Sequence, residues 1–310
     1  MKKLFIILFF NISFILCSVT NNYNSIFYFA KSPKTNSLSS IHFISSNISE
    51  IFYQPISNKK NINNDYYFSI TNQFNNQIGI MQFAYCIKHD NDKNLSVGFV
   101  KRNIKNIYNT TDAWNMQDFL IPEFNNIDYE QISNASYQDI GFVMSYNKYF
   151  EKIDLSVKLK PSYNSFDSNK ALGIDADLIT NYRIENSNID IIIGINNIIS
   201  HKKWNTNIIQ KNKKEYFLST NVNLNKINLY FESDNIYNEK IAFEYKIQDF
   251  FYVRLGKYMK TSYTSGFGLY SNFVELNYAY LNHNKLGNSY QISILFKLDN
   301  ILSLKNNLSL

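Results

Sequence analysis

The stretch that decides the fold is KIDLSVKLK, residues 152–160. Its apolar side chains occupy every second position, and polar or charged side chains occupy the positions between: Ile153, Leu155, Val157 and Leu159 against Asp154, Ser156, Lys158 and Lys160. An extended strand places alternate side chains on opposite faces. This strand therefore has one apolar and one charged face. It fits a soluble sandwich if the apolar face meets a protein core, and a membrane barrel if that face meets lipid.

The same period of two recurs along the chain from Asp65 onward. The clearest further runs are 66–74, 172–183, 241–247, 274–280 and 290–298. Short polar breaks rich in Asn, Asp, Ser, Lys and Gly separate them, which favours antiparallel hairpins and excludes crossover helices. The pattern predicts roughly fourteen strands of about 9–13 residues, the length that crosses a bilayer at a tilt. None of the four prolines, Pro33, Pro55, Pro122 and Pro161, is expected inside a strand.

Composition favours the membrane interpretation. Of the 310 residues, 16% are aromatic and only 18% are charged, and the charged share is below the roughly 25% typical of soluble domains. Aromatic side chains lie near the ends of the predicted strands, as interfacial girdles require. Charged side chains lie in mid-strand on the polar face, which fits a wet or salt-bridged lumen. We therefore predict a transmembrane antiparallel up-and-down β-barrel, with a soluble β-rich periplasmic protein as the alternative.

The first residues have the form of a cleaved signal peptide, which we place at 1–20. Lys2 and Lys3 precede an apolar run that ends at Leu16 and is shorter than the roughly 20 residues of a spanning helix. Cys17 raises the alternative of a lipid anchor, but the bulky Leu16 before it argues against one. The rest, 21–310, is predicted to be one outer-membrane barrel domain. Cys86 has no cysteine partner in it, so an internal disulfide is excluded.

Two regions lack the strand period. Residues 21–64 form a polar N-terminal segment, and residues 103–136 form a long connection that we expect on the extracellular side, where barrels carry their long loops. Asp112, Asn115 and Asp118 of that connection are oxygen ligands at three-residue spacing. They lack the glycine and terminal glutamate of a regular calcium loop, so no metal site is predicted. Trp114 and Trp204 are interpreted as packing or interfacial anchors in loops, with partner contact as the alternative.

Catalytic and nucleic-acid-binding patterns are missing from the sequence. The histidines are far apart and have no ligand spacing: His42, His89, His201 and His283. Asp175 and Asp177 project to the same side of one strand, and we expect a lumen ion pair with Lys158 or Arg183 rather than acid–base chemistry. The densest basic cluster is interpreted as a solvated loop rather than a nucleic-acid surface: Lys202, Lys203, Lys211, Lys213 and Lys214. We predict no enzyme, no cofactor and no catalytic residue.

The C-terminal segment, IAFEYKIQDFFYVRLGKYMKTSYTSGFGLYSNFVELNYAYLNHNKLGNSYQISILFKL, resembles the closing strands of the PorV/PorQ family of outer-membrane barrels, relatives of the FadL-type transporters. The matching residues are Glu244, Tyr245, Arg254, Leu255, Gly256, Tyr258, Gly266, Gly268, Leu269, Tyr278, Ala279, Tyr280, Leu286, Gly287 and Ser293. Farther upstream, ALGIDADLITNYRI and IIIGINNIISHKKWN are similar to a strand and a turn of that family, and the long connection is similar to a loop that some members carry.

The chain also departs from the family pattern. Gln54, Pro55, Ile56 and Ser57 stand where members carry a Gly-rich N-P-A-G-L segment, so the resemblance does not predict whether residues 21–64 plug the barrel. Asn277 replaces an aspartate, and His201–Lys202 replace a turn proline. The terminal tail, DNILSLKNNLSL, follows Phe296 where many outer-membrane barrels end on an aromatic residue.

The resemblance implies a FadL-like barrel of about fourteen strands in the outer membrane. It implies, as the first hypothesis, a non-enzymatic role in type IX-like protein secretion or surface attachment, with secreted cargo or secretion-system proteins as partners. The first alternative is a FadL-like transporter of hydrophobic small molecules. The second is a filled structural barrel that does not conduct. The outer-membrane lipid is the expected surrounding in each case.

Overall fold

A computed structural model of the chain describes residues 25–57, 64–110, 113, 128–184, 187–236, 238–258, 262–283 and 287–301. Fifteen strands are assigned within these ranges: β1 Asp65–Gln73, β2 Ile78–His89, β3 Lys93–Asn109, β4 Ser133–Tyr149, β5 Ile153–Phe166, β6 Asn169–Arg183, β7 Ile189–Trp204, β8 Ile209–Gln210, β9 Glu215–Leu224, β10 Ile227–Asp234, β11 Asn238–Gln248, β12 Phe251–Tyr258, β13 Ser262–Tyr270, β14 Val274–His283 and β15 Gly287–Lys297.

Fourteen of these strands form one closed antiparallel barrel. Each pairs with its neighbours in chain order, β7 pairs with β9, and the first and last strands pair through a register that aligns Asp65 with Lys297. The pairing of β6 with β7 completes the ring, while the two-residue β8 pairs only with the end of β7. The predicted all-β barrel of about fourteen strands is confirmed. Closure leaves no sheet edge unpaired, as a membrane-spanning sheet requires.

In the stretch 152–160, the residues from Ile153 onward belong to β5, and the structure shows which face of this strand is outside the barrel. Val157 is 42% exposed on the outside of the barrel, whereas its neighbour Lys158 is fully buried inside it. The outward apolar surface continues around the ring, with examples on several strands: Ile70, Phe83, Phe142, Ile193, Phe231, Phe243, Leu255, Phe267, Leu276 and Ile292. An apolar surface of this extent is unfavourable in water. We conclude that the outward face of each strand meets lipid.

The barrel wall is taller on one side. Strands β3 to β7 have 14–17 residues, while β9 to β15 have 8–11. The β3–β4 ladder extends to the pair Asn109–Ser133, through a register shift between Ile104 and Ile107. The connection predicted at 103–136 is therefore shorter than its predicted bounds, because its two ends continue the hairpin. The two described ends of this connection, Asn109 and Ser133, lie at the end of the barrel opposite the start of β1 and the end of β15.

Pro161 lies inside β5, so the prediction that no proline interrupts a strand was wrong at this position. Its ring faces outward, and on the β6 side it stays in register with Ile174. On the β4 side the ladder is paired up to Gly141–Ser162 and resumes at Met144–Leu159. Proline has no N–H to donate, so the wall accommodates it with a two-residue gap in the ladder and no change of register.

The N-terminal part of the described chain is folded inside the barrel. Residues 25–57, here called the plug, contain two short helices, α1 Ile26–Phe29 and α2 Pro33–Ser37, and a 3₁₀ turn at Ile48–Glu50. Most of the plug is buried, including polar residues such as Thr35, Ser37 and Gln54. In the part of the chain that the structure describes, no helix has the length and apolar character to span a membrane.

Candidate functional site: the plugged lumen

Local capping explains why a polar segment without strand period folds into the plug. The Ser32 hydroxyl caps α2 by accepting a hydrogen bond from the Thr35 N–H at 3.0 Å, and Pro33 occupies the first helical position, where its missing N–H has no cost. Farther along, Ser45 and Ile56 form a parallel bridge, and the Ser57 N–H donates to the Ser45 carbonyl at 2.6 Å. The plug therefore folds back on itself.

Glu50 is the buried polar centre of the plug. Its two carboxylate oxygens accept hydrogen bonds from the hydroxyls of Ser32 and Thr35, each at 2.6 Å. Burial raises the pKa of Glu50 above its ordinary value, while these two hydrogen bonds act in the opposite direction. The carboxyl group thus links the start of α2 to the 3₁₀ turn inside the lumen.

Gln54 holds the second half of the plug against the first half. Its Oε1 accepts from the Phe43 N–H at 2.9 Å, and its Nε2 donates to the Ile41 carbonyl at 2.9 Å and to Thr35 Oγ1 at 3.0 Å. The Gln54 carbonyl accepts from Nζ of Lys158 on β5 at 2.8 Å. The segment that begins at Gln54, which departs from the family's Gly-rich pattern, is therefore part of the plug. The hydrogen bonds of Gln54 hold this segment in place.

Aromatic side chains of the plug pack onto wall glycines. A Cβ added at Gly98 would lie 2.8 Å from the Phe52 ring, and one added at Gly141 would lie 2.7 Å from the Phe27 ring. Both rings belong to the main buried apolar cluster, which joins the plug to β1–β4 and β15. These two glycines let the plug rings lie directly on the backbone of the wall.

His42 anchors the plug to the opposite side of the wall. Its backbone N–H and its ring Nδ1 lie 2.7 and 2.8 Å from the same oxygen, Oε2 of Glu232 on β10. Its ring stacks between Tyr53 and Phe217, with centroid separations of 4.1 and 3.5 Å, and Nε2 lies 3.3 Å from the amide nitrogen of Asn196. Both ring nitrogens of His42 thus contact wall residues, and the two faces of the ring contact one plug ring and one wall ring.

Lys31 is a buried cation of the plug. Its Nζ lies 4.6 Å from the ring centroids of both Tyr28 and Tyr53. Burial, and the nearby positive charge of Lys240, lower the pKa of Lys31 to about 8, although the carboxylates of Glu215 and Glu232 act in the opposite direction. Cation–π contact replaces part of the hydration that the ammonium group loses.

The mid-strand charges of the wall form buried ion pairs inside the barrel. Lys240 Nζ lies 2.6 Å from Glu232 and 2.7 Å from Asp234. Further pairs are Lys160–Asp177 at 2.7 Å, Lys297–Glu275 at 2.6 Å and Arg254–Glu244 at 2.6 Å. These contacts confirm the predicted salt-bridged lumen. They also place these paired charges of opposite sign next to the plug.

The carboxylates singled out in the sequence both face the lumen but have different partners. Asp177 pairs with Lys160 rather than with Lys158 or Arg183, and Asp175 accepts hydrogen bonds from Ser25 Oγ at 3.0 Å and Asn212 Nδ2 at 3.2 Å. Arg183 pairs with Asp154. The ion pair was predicted correctly for Asp177, but its partner was not, because Lys158 is directed to the plug backbone.

The predicted basic loop is partly a strand. Lys202 and Lys203 belong to β7, and Lys202 is buried with its Nζ 4.8 Å from the Trp204 ring. Trp204 is the last residue of β7, and its Nε1 donates to Gln210 Oε1 at 3.0 Å across the small β7–β8 hairpin. The solvated-loop interpretation was therefore wrong for these residues, since the hairpin keeps β7 in the wall up to Trp204.

The residues considered for metal binding do not come together. His42 is in the plug and His201 is exposed on β7, while the side chains of His89 and His283 lie outside what the structure describes. Cys86 is buried, with its sulfur 3.0 Å from the Asn94 amide nitrogen. Within the described ranges no group of three or more His, Cys, Asp or Glu residues could hold a metal ion. The calcium candidates Asp112, Asn115 and Asp118, and also Trp114, lie outside the described residues.

The C-terminal family motif has residues on both faces of the wall: Tyr245, Leu255 and Leu269 face outward, whereas Glu244, Arg254 and Ala279 are buried on the lumen side. Arg254 is fully buried, and its guanidinium donates to Glu244 at 2.6 Å, to Asn277 at 2.9 Å and to the Tyr270 hydroxyl. Asn277 thus accepts a hydrogen bond at the position where the family carries aspartate. Gly256 and Gly266 adjoin Ser39 and Ser37 of the plug. The sequence motif therefore marks the wall that receives the plug.

Comparisons with known proteins identify the fold. No family model and no curated protein matches the chain. Among solved structures, it is similar to the toluene transporter TbuX of Ralstonia pickettii, with 9% identity over 87% of this chain and 98% of that chain and a TM-score of 0.56. It is also similar to a FadL homologue of Pseudomonas aeruginosa, with 8% identity over 90% and 99% of the two chains and a TM-score of 0.54.

A third similar structure is the toluene transporter TodX of Pseudomonas putida, with 9% identity over 89% of this chain and 97% of that chain and a TM-score of 0.52. At these identities the likeness concerns the fold alone. The chain therefore has the FadL-like barrel fold. Its likeness to the PorV/PorQ family stays a prediction from the sequence motifs.

Proposed function

We propose that this chain is a non-enzymatic outer-membrane barrel that passes small hydrophobic molecules, with the plug as its gate. The observation that carries the proposal is a closed barrel whose lumen is blocked by its own N-terminal segment through non-covalent contacts. Support comes from the shared fold with a toluene transporter and a FadL homologue. The predicted signal peptide and the lipid-facing outer surface support the outer membrane as its location.

The contacts between plug and wall suit a gate because many of them are single hydrogen bonds spread over several strands. Asn36 donates to Gln291 at 2.6 Å, Asn47 donates to Glu275 at 2.7 Å, and the Ser39 and Thr264 hydroxyls lie 3.0 Å apart. A hydrogen bond between neutral groups contributes about 1 kcal/mol net, and one to a carboxylate such as Glu275 roughly 1.5–3 kcal/mol. The plug can thus seal the lumen against polar solutes and still move when a substrate binds.

A disulfide lock tests the gate. The double variant Ser39→Cys/Thr264→Cys places two thiols where two oxygens lie 3.0 Å apart, which should allow oxidation. Uptake of radiolabelled toluene and of a fatty-acid panel is measured in a deletion strain that carries wild type, each single variant or the double variant. We expect uptake with wild type and both single variants, loss of uptake with the oxidised double variant, and recovery after reduction.

The reduced double variant is the control for folding, since it has the same composition without the covalent lock. Equal uptake by the deletion strain with and without the wild-type gene would overturn the transport proposal. Uptake that continues through the oxidised double variant, with disulfide formation verified on a gel, would overturn the role of the plug as the gate.

A filled barrel without conduction is the second candidate function, and a specific observation favours it. The plug and the paired wall charges occupy the lumen, and a cavity at their junction has a volume of only about 90 Å³. Absence of uptake together with flat single-channel recordings for wild type would favour this candidate. The secretion role stays a prediction from the family motifs, and unchanged secretion after deletion of residues 110–132 would count against it.

A further inference from the structure

A small cavity lies between the plug and the wall at the end of the barrel that holds the start of β1. The plug contributes Phe43, Ile44, Ser46 and Ser57, and the wall contributes residues of β7, β9 and β10: Asp190, Asn221, Val222, Asn223, Asn228 and Tyr230. Its volume is about 90 Å³. It is smaller than a cavity of ~150 Å³, which can hold benzene, so its occupant has only a few heavy atoms.

The cavity lining has two acceptor oxygens without a protein partner. Asn221 is 9% exposed and directed inward from β9, and its Oδ1 has no hydrogen-bond partner. On β10, Asn228 donates through its amide nitrogen to Glu244 Oε1 at 3.0 Å, while its own Oδ1 has no partner. A buried acceptor without a donor costs free energy. These oxygens therefore favour an occupant that carries hydrogen-bond donors.

The register of the two strands sets the spacing of the acceptors. Asn221 is the Cα partner of Tyr230, and Asn228 is the Cα partner of Asn223. Asn221 and Asn228 are therefore diagonal neighbours on one face, about 7–8 Å apart at their backbones. Two donors on a short carbon skeleton can reach both amide oxygens, while Phe43, Ile44 and Tyr230 contact the carbon atoms.

The charges around the cavity favour an uncharged ligand. Glu244, which adjoins Asn228, is paired with Arg254 at 2.6 Å and lies 3.7 Å from Lys34. Asp190 has interactions of its own, and Arg183 is its Cα partner on β6. Because the Glu244 carboxylate beside Asn228 is already paired, a hydroxyl donor fits the two amide oxygens better than an ammonium group.

We propose that this cavity binds a small diol, and that binding holds the plug in its closed position. The coupling follows from the lining, since plug and wall each supply part of it. A ligand that binds only the closed arrangement stabilises that arrangement in proportion to its occupancy. The inference concerns control of the plug and does not depend on which molecule crosses the barrel.

The test uses a thiol that becomes accessible when the plug moves. Ser39 is 1% exposed against Thr264 of β13, away from the cavity. In a Cys86→Ser background, the rate of maleimide modification of Ser39→Cys is measured on the detergent-solubilised barrel with 1,3-propanediol, with the donor-free 1,2-dimethoxyethane and with ethanolamine. We expect the diol to slow modification saturably, by about threefold at twice its Kd.

The variant Asn221→Leu is the matched control, because it removes one acceptor and leaves the thiol reporter unchanged. We expect it to abolish the effect of the diol, with parallel loss of saturation transfer from protein to diol in NMR. The proposal is overturned by an equal effect of dimethoxyethane, by an effect that persists in Asn221→Leu, by binding of ethanolamine alone, or by no saturation transfer to the diol in wild type.

Discussion

His42 of the plug and Glu232 of the wall are joined twice, because the backbone N–H and the ring Nδ1 of His42 both lie within 2.8 Å of Glu232 Oε2. Glu232 also pairs with Lys240 at 2.6 Å. The plug is therefore attached to an ion pair in the wall. This attachment is located between two stacked aromatic rings, those of Tyr53 and Phe217, where water does not compete for the hydrogen bonds.

Replacement of this histidine should loosen the plug without unfolding the barrel. His42→Ala removes the ring hydrogen bond and both stacking contacts, and a hydrogen bond to a charged group contributes roughly 1.5–3 kcal/mol. We expect faster proteolysis within residues 25–57 and an unchanged folded band in gel migration. His42→Phe keeps the stacking and should give an intermediate rate. Equal proteolysis of wild type and His42→Ala would contradict the anchoring role.

Arg254 should contribute strongly to the stability of the folded wall. Its guanidinium is fully buried against Glu244, Asn277 and Tyr270. Arg254→Met leaves the buried Glu244 carboxylate with Lys34 at 3.7 Å and with hydrogen bonds from Asn228 and the Tyr230 hydroxyl. Loss of one member of a buried pair costs about 3–5 kcal/mol, so the temperature at which the folded gel band disappears should fall markedly.

The control for Arg254 is the double variant Arg254→Met/Glu244→Gln, which removes both charges. We expect it to regain much of the lost thermal stability, since the buried carboxylate that lost its guanidinium partner is no longer charged. If the double variant is less stable than Arg254→Met alone, the loss arises from packing of the guanidinium and not from its charge.

The wall of this protein could be predicted from its sequence because period two is a local property. Alternation at residues such as Val157 and Lys158 is visible before any tertiary contact is known. Pro161 was predicted outside a strand interior but lies inside β5. Whether a strand interior tolerates proline depends on which neighbouring strand loses a hydrogen bond, and a single sequence does not show this. The partner of Asp177 was missed for a similar reason, since the plug backbone and not the wall determines where Lys158 points.

The plug could not be predicted because its signal is not periodic. Residues 25–57 have the Ser, Asn and Thr content of a loop, and their burial depends on wall residues more than a hundred positions away, such as Glu232 for His42 and Thr264 for Ser39. One signal was available in the sequence. Gly98 and Gly141 interrupt otherwise bulky strands at lumen positions, where a close approach of another segment explains them.

These glycines give a matched test of the plug interface. Gly98→Ala and Gly141→Ala would each place a Cβ within 2.8 Å of a plug ring, and overpacking of this kind costs about 1–3 kcal/mol. Gly79→Ala on β2 is the control, because its Cβ would have no atom within 4 Å. We expect faster proteolysis of the plug in the first two variants only. Equal behaviour of all three would contradict the packing of Phe52 and Phe27 on the wall.

Lys31 should make the stability of the plugged barrel depend on pH. Burial lowers the pKa of Lys31 to about 8, below its ordinary value of 10.5, so the folded state disfavours the charged form. Between about pH 8 and 10.5 the unfolded chain holds a proton on Lys31 that the folded chain has released. Stability should therefore rise as the pH increases from about 8 to about 10.5, by roughly 3 kcal/mol in total.

The measurement is the thermal midpoint of wild type and Lys31→Met between pH 7 and 10.5. Other groups titrate in this range, so the difference between the two proteins isolates Lys31. We expect Lys31→Met to be more stable than wild type at pH 7, where burial of the ammonium group is costly, and the gap to narrow as the pH rises. A difference that stays constant with pH would show that Lys31 carries its full charge between Tyr28 and Tyr53 throughout, and would refute the lowered pKa.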